Sequence, residues 1–228
     1  MAFFISTIIR RFVVLYLLFM GVQYLLKWNF YTISPKEFRA AADKAKGLPN
    51  LDSIVGSLAS DLRKNYGQGV SSVWIPVVLG AHDVKINLLY TSLTEYVALI
   101  NAPYASTGRA GLLWLNSTCT VLTGSASRVE DVATRAVEKE SFTVGKNFRH
   151  GMFESYNYMF APETTLACYG RGLVPFSGIL MSVGGITHGE PVSVLQLAYY
   201  YWGKTLAQTA ERVTHVFEHY KKRATADL

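Results

Sequence analysis

Val84–Ile100 reads VKINLLYTSLTEYVALI, an apolar run rich in β-branched and aromatic residues, and its texture decides the fold. The same texture extends on both sides, from Val73 to about Val183. It recurs as VWIPVVL (73–79), LLWLNSTCTVLTG (112–124), SFTVG (141–145), ESYNYMF (154–160) and TTLACYG (164–170), with Gly, Pro, Asn and Asp between the runs. Short apolar runs cut by turn-forming residues predict strands, and this many of them predict an all-β barrel or sandwich over residues 72–190.

Helical patterns flank the strands. Ser34-Pro35-Lys36-Glu37 is a helix start: Ser34 can cap, Pro35 suits the first helical position and Glu37 can complete a capping box. Leu51, Ile54, Val55, Leu58 and Leu62, spaced by three and four, predict a second helix ending near Gly67, so residues 34–71 read as a helical pair. After Pro191 the helical period returns. Leu195, Ala198, Trp202, Leu206, Val213, Val216 or Phe217, and Tyr220 form one stripe through a polar face, so residues 191–228 read as amphipathic C-terminal helices. Such a stripe packs on a core or partner, or lies on a membrane surface.

The 228 residues suit one domain with additions, and a mean hydropathy of +0.18 excludes a disordered chain. The net charge of +6 is concentrated at the N-terminal end, where Arg10, Arg11, Lys27, Lys36, Arg39, Lys44 and Lys46 face only Glu37 and Asp43. A basic nucleic-acid surface is therefore not indicated. Phe12–Leu26 carries no charge and is followed by Lys27, Trp28, Phe30 and Tyr31, residues that suit an interface, so residues 1–33 read as a membrane anchor. No acidic residue precedes Glu37, and Ser6, Thr7, Arg10 and Arg11 resemble the start of a mitochondrial targeting segment. The mitochondrial inner membrane is the expected site, with the endoplasmic reticulum as alternative.

Candidate chemistry is sparse. His215 and His219 have the spacing of a metal pair but no third ligand nearby, so neither metal nor cofactor is expected. Gly170-Arg171-Gly172 lacks the context of a phosphate loop and reads as a turn. Asn116-Ser117-Thr118 is a formal glycosylation sequon inside a strand-like run, where it is expected to stay unmodified. Cys119 and Cys168, the chain's two cysteines, have no C-x-x-C spacing and read as small buried hydrophobes.

Two stretches carry a resemblance. Leu88–Val97 (LLYTSLTEYV) is similar to a strand of the sigma-1 receptor and fungal sterol delta-8 isomerase family. His150-Gly151 followed by Tyr169-Gly170-Arg171-Gly172-Leu173-Val174-Pro175 resembles a second block of that family, with Pro162 in step. The resemblance implies a cupin-like β-barrel on a single anchor, C-terminal helices against the membrane, and often a homotrimer. It also implies an apolar pocket for amines or sterols with two carboxylates at its centre. Those acids fall here on Cys119 and Cys168. Nearby Leu113, Trp114, Leu115 and Asn116 supply no acid either, and the family's Asp-Thr near the barrel end becomes Gly184-Gly185.

By this resemblance Tyr90, Tyr96, Cys119, His150, Phe160 and Cys168 line a degenerate pocket, and Glu95 keeps a structural role. The cysteines are expected as unbonded neighbours in a reducing compartment, or bridged in an oxidising one if geometry allows. The reading is a pseudoenzyme acting as accessory subunit of a membrane, possibly respiratory, complex, its partners being lipids and other subunits or copies of itself. The alternatives are a lipid- or sterol-binding receptor, or an isomerase using displaced acids such as Asp83, Glu154 or Glu163.

Overall fold

The structure, a computed structural model, describes residues 2–28, 31–66, 73–130 and 138–226; for helical residues 2–7, 28, 65 and 211–226 it describes the backbone alone. The chain divides into two units, Met1–Thr32 and Ile33–Leu228. In the first, α1 (Ala2–Trp28) contains a 20-residue stretch, Ile8–Lys27, of mean hydropathy 1.6. At 1.5 Å per residue it matches the ~30 Å hydrocarbon core, so this is one helix long and apolar enough to cross a membrane.

In the second unit, α2 (Pro35–Ala45) and α3 (Leu51–Tyr66) are the helical pair. Ser34 takes an extended N-cap conformation but makes no side-chain cap. Glu37 does not close a capping box; its carboxylate accepts a hydrogen bond from the Tyr66 hydroxyl, whose oxygen also accepts from the Ser34 N–H at 3.3 Å. The end of α3 is thereby tied to the start of α2. Phe38, Ala41, Ala42 and Ala45 of α2 and Ile54, Val55, Leu58 and Leu62 of α3 bury their apolar faces against one face of a β-sheet. Each large side chain so buried contributes about 1.5–3 kcal/mol.

That sheet has six antiparallel strands in the order β1-β2-β3-β10-β5-β8: β1 (Ile75–Leu79), β2 (His82–Thr91), β3 (Glu95–Ala102), β5 (Leu115–Thr123), β8 (Asn147–His150) and β10 (Thr164–Gly172). A second sheet, in the order β4-β9-β6-β7, is built from β4 (Ser106–Arg109), β6 (Ser125–Glu130), β7 (Lys139–Thr143) and β9 (Tyr156–Phe160). Gly124 turns the chain from β5 of one sheet into β6 of the other with φ at +72°, and a Cβ there would run into Thr164, so only glycine fits. Leu89, Val97, Leu99, Leu122, Ala167 and Tyr169 of the large sheet face the helical pair. Cys119, Val121, Leu166 and Cys168 face the other way, against Ala126, Tyr158 and Phe160 of the small sheet.

The strand region ends earlier than the sequence suggests. Residues 174–183, expected within the β domain, belong to α4 (Val174–Thr187), with Pro175 in its first turn. The run looks strand-like in composition, but its exposed residues Phe176, Ile179, Val183 and Ile186 recur by three and four. The C-terminal segment forms a single helix, α5 (Pro191–Ala226). Leu195, Trp202 and Leu206 of its stripe face outward, while Leu197, Tyr200 and Tyr201 pack on the large sheet. The side chains of Val213, Val216, Phe217 and Tyr220, and those of His215 and His219, lie outside the described residues.

Candidate functional site

The inward face of the large sheet borders two cavities. The smaller, of about 70 Å³, is lined by both cysteines together with His82, Tyr96, Ser117, Phe148, His150, Tyr158 and Phe160, among others. The larger, of about 290 Å³, lies where α4 and α5 cover the sheet and is lined by residues such as Ile86, Leu88, Leu115, Ile179 and Trp202. Leu79, Tyr96, Ile100 and Met181 border both. No carboxylate among the described residues lines either cavity.

Cys168 stands directly opposite Cys119 in the antiparallel β10–β5 register, with Cα atoms 4.1 Å apart, and the two sulfurs form a disulfide. The expectation of unbonded neighbours is corrected. Direct register partners have the short Cα separation that a bridge needs, which spacing along the chain does not reveal. The pair sits at 8% and 1% exposure in the wall of the smaller cavity.

Tyr96 lies across Gly170, its β10 register partner, and a Cβ at position 170 would run into the ring. The glycine read as a turn residue is thus the space that the pocket phenol occupies. Burial pushes the Tyr96 hydroxyl up to about 12, against a hydrogen bond with Ser117 that lowers it.

His150 hydrogen-bonds the Glu154 carbonyl through Nε2 at 3.0 Å and the Tyr158 hydroxyl through Nδ1 at 3.1 Å. A carbonyl only accepts, so Nε2 carries the proton and Nδ1 accepts from the tyrosine. His82 is fixed likewise, with Gly108 O at 2.9 Å from Nε2 and Ser106 Oγ at 2.8 Å from Nδ1. Burial holds both imidazoles below the ordinary histidine value, and both are neutral. Neither has a free nitrogen with which to accept a substrate proton.

Phe160 lines the smaller cavity, but Tyr90 does not. The β2–β3 register shifts between Leu88 and Tyr90, and this bulge turns the tyrosine to the opposite face, among the helical pair. Tyr90 is corrected from pocket to outer core. Among pocket residues the sequence reading passed over, Phe148 and Tyr158 stand two positions from His150 and Phe160 on the same strands, so strand alternation was their signal. His82 and Met181 carried no comparable signal.

Glu95, 1% exposed, accepts the Ile33 N–H at 3.4 Å. Tyr169 and Arg171 donate to the Ile33 carbonyl at 2.8 and 2.7 Å, so both backbone groups of Ile33 are held. Gly184 is equally structural: a Cβ there would strike the Gly80 carbonyl, and Gly80 N–H donates to Met181 O at 2.9 Å. The glycine pair lets α4 close on the β1–β2 turn. Asp83, Glu154 and Glu163 are exposed and line neither cavity. Burial raises the Glu154 carboxyl, but hydrogen bonds from Gly151 N–H and Tyr156 prevail and hold it below the usual range. Asn116, the sequon residue, accepts from Arg149 at 2.8 Å.

Known proteins show similarity to this chain. Among solved structures, KdgF from Halomonas sp. is similar over 46% of this chain and 94% of its own, at 11% identity and TM-score 0.37. The cupin domain of Schizosaccharomyces pombe Cnp3 is similar over 47% and 69%, at 11% identity and TM-score 0.36. The sigma non-opioid intracellular receptor 1 of Danio rerio is 25% identical over 177 residues, covering 75% of this chain and 78% of the receptor. That of Xenopus tropicalis is 26% identical over 162 residues, covering 68% and 72%. The family model described as ERG2 and Sigma1 receptor like protein matches residues 9–211, and the chain belongs to that family.

Proposed function

We propose that this chain is a non-catalytic, single-pass member of its family, whose sheets form a cupin-like barrel holding an uncharged apolar ligand of lipid or sterol kind. The observation that carries the reading is the lining: mostly apolar with a few neutral polar groups, without a carboxylate among the described residues, and with a disulfide where the resemblance expects the acid pair. Moving a double bond requires an acid able to protonate an alkene carbon and a base to remove a neighbouring proton. The disulfide does not titrate, the Tyr96 phenol is weaker than a free one, and both histidines are spent on hydrogen bonds. A desolvated ammonium would meet no counter-charge, a loss of several kcal/mol.

A second role, accessory subunit of a membrane complex, is favoured by the outward apolar face of α5. Val192, Leu195, Tyr199 and Leu206, none of which lines either cavity, are each 64–75% exposed, and a face of that kind calls for cover by lipid or a partner. The disulfide favours an oxidising side of the membrane, the intermembrane space or the lumen of the endoplasmic reticulum. Mass spectrometry of lipids extracted from the purified full chain, with a delta-8 sterol isomerase assay on the same sample, tests the reading. A stoichiometric neutral lipid without turnover supports it, and turnover overturns it. An empty pocket with fixed companions on a native gel leaves the accessory role alone.

A further inference from the structure

We propose that the Cys119–Cys168 disulfide is a redox site addressed through the apolar cavity, reduced by small neutral dithiols that enter it and shielded by an apolar occupant. Both cysteines are buried, yet both line the smaller cavity, so the cavity is the void through which a reagent meets them. Leu79, Tyr96, Ile100 and Met181 are all that borders both cavities, and a ligand seated in the larger one rests on the same side chains. The lining is apolar around a few neutral polar groups, so a charged reductant loses its hydration on entering and gains no counter-ion.

The chemistry balances with a dithiol as the reductant. The dithiol enters neutral; its first sulfur attacks the Cys119 sulfur, the less enclosed of the two, and its proton passes to the Cys168 sulfur as that sulfur leaves. The reagent's second thiol then displaces Cys119, closing a cyclic disulfide on the reagent and leaving two thiols on the protein. Two electrons and two protons have passed to the pair. The separated sulfurs no longer share a bond length and spread into the smaller cavity, so the same step that reduces the site alters the room beside it. A ligand in the larger cavity holds the four side chains it shares with the smaller one, and so opposes entry of the reductant.

The shielding half of this inference rests on the reading of the cavity as an apolar ligand site. The test uses the full chain in phosphatidylcholine nanodiscs, with reduction followed by alkylation and mass measurement. Dithiothreitol is compared with the anionic tris(carboxyethyl)phosphine, each with and without 1-dodecanol, whose binding is followed separately by tryptophan fluorescence. The expected result is reduction by dithiothreitol of the folded protein, slow reduction by the phosphine, and about tenfold protection from dithiothreitol when the site is about 90% occupied. Equal rates for the two reductants, or no reduction before global unfolding, overturn the proposal. Dodecanol that binds without protecting overturns the shielding while the ligand-site reading survives. Dodecanol that fails to bind removes the ligand-site reading, and the reductant comparison still decides access.

Discussion

Gly170 packs tightly under Tyr96 of the pocket wall, because the phenol ring occupies the space that any side chain at 170 would need. Gly170→Ala is expected to cost about 1–3 kcal/mol, as overpacking does, read as a lowered thermal midpoint. Tyr96→Phe keeps the ring and removes only the hydroxyl bonded to Ser117, so its cost is expected near 1 kcal/mol, distinct from the glycine variant. At Glu95 the expected loss is similar in kind. Glu95→Ala strands the buried Ile33 N–H and is expected to destabilise by about 1–3 kcal/mol in denaturant unfolding. The family resemblance made some of this legible. The positions of Tyr96, His150 and Phe160 follow from that resemblance. Tyr90 did not follow, because one bulge between Leu88 and Tyr90 puts Leu89 and Tyr90 on the same side of β2.

Between elements, the two adjoining strands β5 and β10 carry the covalent link, and α4 depends on a glycine seam. Replacing both cysteines by serine reopens a 49-residue separation in the unfolded chain, expected to lower stability by about 4 kcal/mol by chain entropy. Equal stability of the double variant and the parent under non-reducing conditions would show that the bridge does not form. The strand runs, the helical pair and the apolar N-terminal helix were readable because each has its own period or composition. The bridge was not, since pairing across a sheet depends on register and not on the 49 residues between. Helix α4 was missed because Ile179, Met181 and Val183 suit a strand by composition, while the α4 pattern of outward residues spaced by three and four only emerges once its neighbours are known. Gly184-Gly185 was first read as lost chemistry, but Gly184 sits against the Gly80 carbonyl, and its packing accounts for it.

For the molecule as a whole, two buried neutral histidines couple stability to pH. In the unfolded chain they protonate around 6.5, whereas burial lowers both folded values. Below 6.5 the unfolded state therefore binds more protons, and stability is expected to fall with falling pH through that window while staying level in this respect above 7. Urea midpoints at pH 7.5 and 5.5 check the sign; a higher midpoint at 5.5 contradicts it. The apolar wall, the bridged sulfurs and the spent imidazoles together make the interior a neutral site. The most direct measurement is equilibrium binding of a hydrophobic tertiary amine against its uncharged carbon analogue of the same shape, at pH 7 on the full-length protein. The neutral analogue binding more tightly than the protonated amine is the predicted result. A tenfold or greater preference for the amine, about 1.4 kcal/mol, would contradict the account, because it requires a buried negative charge that this cavity does not hold.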